Sequence, residues 1–492
     1  MSQKRINIIT AGVILSLFLA SMEGTVVATA MPSIVAQLGG LSIYSWVFAI
    51  YMLASTTTVP IYGKISDLVG RKKVYTFSMV LFLIGSVLCG LANSMEWLVV
   101  FRAIQGLGAG GIMPMALTVI GEIFSVEKRA KMQGLISGVW GLSSIIGPVI
   151  GGFLVDQINW HWVFYINLIP GTLAILFVWF AWIDQEKPVG KPLKLDVSGT
   201  IILTIAVLSL LIGLNGLQNP SNFRFIAVSI GMFAILFFIE KRAGDPILPI
   251  KLFKNRLFMV AFLHGILAGW AMFGSLSYVP LFVQAVVGTT ATMAGISLMP
   301  MSLSWTIASI LGGRLIIKIN FRILAIIGML LLAIGSFMMT TIGAGTNQFT
   351  VMLYTSLMGI GMGLTIPIFM IIVQTAVPKG VLGTATSTLQ FSRSIGGTIG
   401  VSVLGVYLSS RLAKLLIESG FSIGSVSLSS LVNPTPGTEV AMSETLRVAL
   451  SGAMANMFYI AFGAAILGLL IVFFTPAGKV TQLATGNDQN NK

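Results

Sequence analysis

Long apolar runs recur along this chain, and they restrict the folds open to it more than any other feature. Crossing the interior of a bilayer takes ~20 helical residues, and backbone groups in lipid must be hydrogen-bonded within their own segment. Each run is therefore predicted to be a transmembrane helix. Fourteen runs are found, at 6–30, 43–63, 74–93, 97–121, 131–154, 162–183, 199–218, 223–240, 258–285, 291–313, 322–342, 349–375, 383–408 and 447–475.

Charged residues are scarce enough to exclude a soluble protein. They make up 9% of the 492 residues, against ~25% in soluble domains. The connections between the runs are too short to hold a soluble domain of useful size. The single cysteine, Cys89, excludes an intramolecular disulfide. The predicted class is an all-α polytopic membrane protein.

The positive charges lie mostly on one side of the predicted helices. An even number of spans puts both termini on the same side, and the connections on that side hold 23 Lys and Arg residues. The opposite side holds four, namely Arg224, Arg411, Lys414 and Arg447. Positive residues stay in the cytoplasm, so both termini are predicted to be cytoplasmic in a cell (inner or plasma) membrane. The net charge of +14 thus reflects topology, and no nucleic-acid partner is predicted.

Glycines of the fourth and fifth runs recur at nearly constant offsets. Gly106, Gly108, Gly110 and Pro114 return 253 residues later as Gly359, Gly361, Gly363 and Pro367. Gly134, Gly147 and Gly151 return 249 residues later as Gly383, Gly396 and Gly400. The repeat predicts two six-helix bundles separated by two inserted helices, the layout of a rocking transporter. The predicted divisions are 1–183, the inserted helices with a cytoplasmic amphipathic segment at 184–257, the second bundle at 258–475, and a cytoplasmic tail at 476–492.

One carboxylate, Glu23, interrupts the first apolar run. A charge at such depth costs at least ~2.5–3.5 kcal/mol, so an intramembrane acid is a candidate for function. Arg102, inside the fourth run, is an attractive partner, although backbone carbonyls are an alternative one. Two further interpretations remain open: a structural ion pair, and a signal peptide that ends near Ala30.

Several motifs occur together with this acid, and they are Gly63-x3-Asp67-x2-Gly70-Arg71-Lys72, Arg102-x2-Gln105-Gly106-x-Gly108, Gly138-x8-Gly147-Pro148-x2-Gly151-Gly152, Met22-Glu23-Gly24-Thr25 through Pro32, and Trp160-His161-Trp162 through Asn167. Together they resemble the motifs of the major facilitator superfamily, and in particular its fourteen-helix drug:proton antiporter branch. The resemblance covers nearly the whole chain. Many relatives have Asp where this chain has Glu23.

The resemblance implies a major facilitator fold and proton-coupled antiport in multidrug efflux, the kind of transport behind antibiotic resistance. The expected cargo is an apolar, often cationic compound, and Glu23 and Arg102 are the expected proton-coupling residues. The expected partners are small lipophilic or cationic substrates, protons and the lipid bilayer, for a protein acting as a monomer. No phosphate-binding loop, Cys/His metal spacing or Ser/His/Asp arrangement is found, so no cofactor, metal or enzyme activity is predicted.

Two motifs have a mechanical interpretation. A loop cluster is predicted to latch the bundles through salt bridges that break during rocking. Its members are Gly63, Asp67, Gly70, Arg71, Glu122 and Arg129. The alternative is a charge cluster that only sets topology. In the fifth run, Gly138, Gly147, Gly151 and Gly152 allow close helix approach and Pro148 bends the helix.

A substrate pocket is predicted where aromatic, Met and Gln side chains are expected to face the seam between the bundles. Such residues suit bulky apolar ligands, with cation–π attraction if the ligand is positive. The candidates are Tyr51, Gln105, Met113, Trp140, Trp270, Phe273, Trp305 and Gln374. Packing against lipid or core is the alternative for each. A lipid or lipid-linked-precursor flippase on the same fold stays open as a second function, and a membrane enzyme or channel as a third.

Overall fold

The computed structural model describes residues 2–39, 43–182, 196–215, 220–243, 246–248, 250–289, 291–418 and 444–480. These residues form helices and no strands, as the apolar runs predict. The α-helices are α1 (Gln3–Leu38), α2 (Tyr44–Val69), α3 (Arg71–Gly90), α4 (Met95–Ile123), α5 (Val126–Gln157), α6 (Trp162–Tyr165), α7 (Leu168–Ala181), α8 (Val197–Asn215), α9 (Phe223–Arg242), α10 (Ile250–Phe253), α11 (Arg256–Ala285), α12 (Ala291–Ile296), α13 (Met299–Leu315), α14 (Phe321–Met338), α15 (Gln348–Ala376), α16 (Leu382–Glu418) and α17 (Glu444–Val472).

Twelve segments in the described part of the chain are long and apolar enough to cross a membrane. Every predicted run overlaps a helix, and short helices α6 and α12 each join the helix that follows to make one segment. Helices α2 and α5 are not among the twelve. The chain is thus a multi-pass membrane protein, while the count of fourteen spans stays a prediction.

The packing of the two halves follows the glycine repeat. A Cβ atom at Gly106 of α4 would lie 2.6 Å from the carbonyl oxygen of Tyr51 on α2. At the equivalent Gly359 of α15, it would lie 2.2 Å from the carbonyl oxygen of Met301 on α13. Helix α4 therefore packs on α2 as α15 packs on α13, which places equivalent helices in two bundles of the same design. The proposed domain boundaries stay a prediction, and 183–195 and 481–492 lie outside the described residues.

Two seams join the bundles, and the repeat also relates them. At Gly134 of α5 a Cβ would lie 2.3 Å from Ile310 of α13, and at the equivalent Gly383 of α16 it would lie 2.3 Å from Ser66 of α2. The inserted helices α8 and α9 pack on each other, and α8 lies against α2 and α16. The inserted pair therefore covers the α2–α16 seam from outside.

The glycines of the fifth run face two different neighbours. Gly138 lies opposite Thr306 of α13, across the seam, with 3.6 Å between its Cβ position and the Thr306 methyl carbon. Gly147 and Gly151 face α1 of their own bundle, where a Cβ would meet the hydroxyl groups of Thr25 and Thr29. A Cβ at Gly152 would have no atom of another described residue within 4 Å. The side chain of Pro148 is outside the described part of the structure. Gly138 therefore faces the other bundle, whereas Gly147 and Gly151 face α1.

Candidate functional site

Glu23 and Arg102 form an ion pair inside the first bundle. Glu23 of α1 is 2% exposed, Arg102 of α4 is 1% exposed, and Arg102 Nη1 lies 2.5 Å from Glu23 Oε1. A buried ion pair loses the hydration of both charges, so further hydrogen bonds are needed to offset the cost. The sequence favoured this pairing, and the structure brings the two side chains together.

Polar neighbours satisfy the second oxygen of the carboxylate. Asn167, which immediately precedes α7, donates from Nδ2 to Glu23 Oε2 at 2.9 Å and to Ser86 Oγ at 3.0 Å. Ser86 of α3 in turn donates to the carbonyl oxygen of Phe164 at 2.8 Å. Both carboxylate oxygens therefore have a donor, one cationic and one neutral.

The guanidinium group has partners besides the carboxylate. Arg102 Nε donates to the carbonyl oxygen of Val47 at 3.1 Å, and Nη1 donates to Gln105 Oε1 at 2.7 Å. The ring of Tyr51 lies 4.1 Å from the guanidinium carbon, a cation–π arrangement. Because these contacts do not involve Glu23, Arg102 keeps polar partners when Glu23 gains a proton. Arg102 is therefore held by more than its ion pair with Glu23.

A second cluster joins the two bundles through Asp67. Its Oδ1 accepts from the backbone N–H of Gly383 at 2.9 Å, and its Oδ2 accepts from Thr384 N at 2.7 Å and Thr384 Oγ1 at 2.8 Å. Helix α16 begins at Leu382, so Asp67 lies at a helix N-terminus, where free N–H groups and the helix dipole favour an anion.

Arg71 extends this cluster in three directions. Its Nη2 lies 3.2 Å from Asp67 Oδ1 and donates to the carbonyl oxygen of Lys379 at 3.0 Å. Its Nη1 lies 2.9 Å from Glu122 Oε2 at the end of α4. Arg71 thus connects both bundles, which is the contact that a latch requires. Whether it breaks during transport stays a prediction.

Two hydrogen bonds between α4–α5 and α15 lie at the same end of the bundles. Gln374 Nε2 donates to the carbonyl oxygen of Leu117 at 3.1 Å, and Arg129 Nη1 donates to Thr375 Oγ1 at 3.3 Å. This end carries residues 63–73, predicted to be a loop, but α2 continues to Val69 and α3 begins at Arg71, so only Gly70 lies between the two helices. We call this end the basic end. The bundles are in contact here, so the basic end is closed.

Two glycines are needed for this closure. Gly70 joins α2 to α3 with a φ of +113°, which favours glycine because a side chain would clash with the backbone. A Cβ at Gly63 would lie 1.8 Å from Ser387 Oγ and 2.8 Å from the carbonyl oxygen of Gly383. Helices α2 and α16 can therefore approach this closely only because residue 63 has no side chain.

We expect Gly63→Ala to slow transport by holding α2 and α16 apart. Overpacking costs ~1–3 kcal/mol, which would reduce the closed population, and with it turnover, by about 5- to 150-fold. The measurement is the transport rate in proteoliposomes. Ser387→Gly removes the nearest obstacle, so the double variant should recover part of the rate, with Ser387→Gly alone as control. An unchanged rate for Gly63→Ala would contradict the importance of this contact.

A cavity of about 120 Å³ lies between the bundles. Four of the predicted pocket residues line it, namely Met113, Trp140, Phe273 and Trp305. The remaining lining residues are Leu117, Gln133, Ile136, Ser137, Gly141, Met272, Met301, Ser302, Ile366, Pro367, Met370, Gln390 and Arg393. Leu117 also accepts the hydrogen bond from Gln374, so the closed basic end forms one boundary of the cavity. Apolar and aromatic side chains predominate, as in sites for small organic ligands.

The other four predicted pocket residues lie elsewhere. Tyr51 and Gln105 contact Arg102, and Gln374 belongs to the closed basic end. Trp270 packs against Gly400 within its own bundle, where a Cβ at residue 400 would lie 2.7 Å from the indole. These four do not line the cavity, and their part in substrate binding stays a prediction, because helical runs this apolar give no reliable indication of which face meets the seam.

The sequence interpretation missed several polar residues at both places. Asn167 donates to Glu23 and to Ser86, and Gln133 and Gln390 line the cavity. Arg393, which the sequence places inside the thirteenth run with no partner assigned, also lines the cavity. The signal that could have found them is their polarity, since a polar side chain in an apolar run needs a partner. Asn167 also ends one of the motifs quoted above.

Comparisons with known proteins agree with this architecture. A family model described as "Major Facilitator Superfamily" matches residues 13–401. The "Multidrug transporter protein MdtP" of Bacillus subtilis (strain 168) is 41% identical over 425 residues, which cover 85% of this chain and 78% of that protein. "Multidrug resistance protein 3" of the same organism is 34% identical over 503 residues, covering 98% of this chain and 97% of that protein.

A solved structure has the same arrangement of helices. The crystal structure of the human organic anion transporter MFSD10 (TETRAN) superposes with a TM-score of 0.65, covering 96% of this chain and 100% of that chain. The two sequences are 15% identical, so the likeness concerns the fold alone.

Proposed function

This chain belongs to the Major Facilitator Superfamily, as its motifs indicate, and we propose that it is a proton-coupled antiporter that exports apolar compounds from the cytoplasm. Two relatives that are named multidrug transport or resistance proteins support drug efflux. The observation that supports the coupling is the buried Glu23, which is paired with Arg102 while Arg102 also donates to the carbonyl oxygen of Val47.

Helix α4 offers a path from the proton site to the closed basic end. It carries Arg102 beside Glu23 and, 15 residues further on, Leu117, which contacts the other bundle. That separation is ~22 Å along a helix, and Glu122 lies about one and a half turns beyond Leu117. When Glu23 gains a proton, the attraction to Arg102 weakens, and α1 and α4 are free to shift. A shift of α4 would then act on the contacts with Gln374 and Arg71.

The proposed location is the cell membrane, with both termini and the basic end in the cytoplasm. The distribution of Lys and Arg supports this orientation. With that orientation, the described conformation is closed toward the cytoplasm. It is the state that would release cargo outside and accept a proton there.

The test of this proposal is reconstitution into proteoliposomes with an imposed pH gradient. The panel of test compounds covers all three charge types: the cation ethidium, a neutral aromatic amide and an aromatic carboxylate. Each is assayed for transport. Accumulation of at least one compound against its own gradient, abolished by a protonophore, is the expected result. Movement of a fluorescent phospholipid with none of the panel transported would instead favour the flippase.

We expect Glu23→Asp to retain partial activity with an altered substrate profile. The shorter side chain draws the carboxylate back by about one methylene, ~1.5 Å, so it cannot contact both Arg102 and Asn167 as Glu23 does. The charge and the capacity for a proton remain. The measurement is the pH-driven rate across the same panel, and a rate equal to that of Glu23→Gln would contradict the expectation.

A further inference from the structure

Arg393 of α16 lines the cavity between the bundles without a carboxylate beside it. Its Nη2 donates to Gln390 Oε1, a neutral acceptor three residues earlier on the same helix. The ion pairs of Arg71 with Asp67 and Glu122, and of Arg102 with Glu23, do not include Arg393. A guanidinium group at membrane depth is costly unless it has a counter-charge, which makes the one at residue 393 a candidate for ligand binding.

Further hydrogen-bond donors at the cavity also lack a partner among the described residues. They are the indole N–H of Trp305 and the amide Nε2 of Gln133, whose side chain is 7% exposed. A buried donor without an acceptor costs ~1–3 kcal/mol. Together with Arg393 they give the cavity a surplus of donors, which a ligand with acceptor atoms would satisfy.

The groups around Arg393 do not supply the missing negative charge. No Asp or Glu is among the described residues that line the cavity. A small adjoining cavity is lined by both Arg393 and His264, and the imidazole is a base rather than an acid. Glu23 lies inside the first bundle and is occupied by Arg102 and Asn167.

We propose that this cavity takes lipophilic anions, meaning aromatic or aliphatic molecules that carry one carboxylate or sulfonate group. This inference rests on the proposed export function and names its substrate class. Arg393 pairs with the anionic group, Trp305 donates a further hydrogen bond to it, and Trp140 and Phe273 contact the apolar body. The cationic cargo expected from the sequence would lie next to Arg393 with no acid to offset the repulsion.

Binding at equilibrium tests the proposal without a proton gradient. Three probes share one ring system: 1-naphthylacetate, neutral 1-naphthaleneacetamide, and the cation (1-naphthylmethyl)trimethylammonium. We expect the intact protein in lipid nanodiscs to bind the carboxylate at least about tenfold more tightly than the amide, and the cation most weakly, since a charge-assisted hydrogen bond contributes ~1.5–3 kcal/mol.

Variants assign the selectivity to particular groups. Arg393→Gln should remove the preference for the carboxylate, and Arg393→Lys should retain part of it. Trp305→Phe keeps the aromatic surface and should weaken carboxylate binding by about tenfold and amide binding by less, because a hydrogen bond to a neutral carbonyl is weaker than one to a carboxylate. Arg411→Gln, which removes a positive charge from the same helix ~27 Å away, is the matched control and should bind all three probes like the unmodified protein.

Two results would overturn the inference: cation binding as tight as carboxylate binding, or an unchanged preference in Arg393→Gln. Should Arg393→Gln not fold, Arg393→Lys and Trp305→Phe decide, and unchanged carboxylate affinity in both overturns it as well. Failure of a pH gradient to drive any probe would contradict proton antiport while leaving the binding selectivity intact, so the two proposals fail separately.

Transport gives a second readout. Exchange of one external proton for one internal monovalent anion moves two positive charges inward per cycle, whereas exchange for a monovalent cation moves none. An inside-negative potential set with potassium and valinomycin should therefore accelerate naphthylacetate export. An export rate that does not change with the membrane potential would contradict the exchange of one proton for one anion.

Discussion

Glu23→Gln is expected to abolish pH-driven accumulation of every substrate while leaving substrate exchange intact. The amide has the shape of a protonated carboxylic acid but cannot release a proton, so it holds the site in one of its two states. Exchange of internal for external substrate needs no net proton movement and should continue. Proteoliposome assays with and without a pH gradient measure both activities on the same preparation.

The fold should survive this substitution. Removing one partner of a buried ion pair costs ~3–5 kcal/mol when the other charge is left alone, but Arg102 keeps the carbonyl oxygen of Val47, Gln105 Oε1 and the ring of Tyr51. The Gln amide oxygen also remains available to Arg102. Thermal unfolding of the purified variant checks this, with the exposed Glu96→Gln on α4 as the control that removes the same charge elsewhere.

Accumulation by Glu23→Gln at the rate of the unmodified protein would show that protons bind elsewhere. Loss of exchange together with accumulation, in a protein that still unfolds at its usual temperature, would mean that Glu23 serves substrate or conformational change rather than protons. Arg102→Gln is not a suitable companion variant, because it leaves a buried carboxylate without its cation.

The sequence was most informative about charged residues in apolar runs, because burying a charge in the membrane has a high free-energy cost. A carboxylate and an arginine in separate apolar runs had few possible partners, and Glu23 and Arg102 are indeed in contact. Glycines recurring at a fixed offset predicted the relation of the bundles, because close helix contacts select for small residues. Family motifs singled out Asp67 from the sequence alone, although it lies in the last turn of α2 and not in a loop.

The cavity could not be derived in the same way. Trp270 and Trp305 both occur in helices apolar enough to span a membrane, yet one packs inside its bundle and the other lines the cavity. Apolar residues occur on all faces of such helices, so helical periodicity carries little information about the buried face. The surroundings of Arg393 depend on the junction of six helices, which no local pattern encodes.

Asp67→Asn is expected to slow turnover strongly while changing substrate affinity little. The carboxylate accepts three hydrogen bonds from Gly383 and Thr384 and also faces Arg71. The amide that replaces this carboxylate can accept hydrogen bonds only through its single oxygen. Its NH2 group would therefore face at least one N–H or O–H group of Gly383 or Thr384 and could not accept a hydrogen bond from it. Loss of a charge-assisted bond at a helix N-terminus costs ~1.5–3 kcal/mol, which lowers the closed population by about 10- to 150-fold.

The cavity contains none of these residues, so equilibrium binding should stay within about twofold of the unmodified protein while the transport rate falls. Thr386 of α16 is fully buried beside Gln374 at the basic end, and Thr386→Cys in a Cys89→Ser background reports opening through its rate of thiol modification. Asp67→Asn should raise that rate. Thr384→Val, which removes only the hydroxyl donor and keeps the backbone N–H, should have a smaller effect of the same sign. Weaker binding with an unchanged modification rate would show that Asp67 supports the cavity instead of the closure.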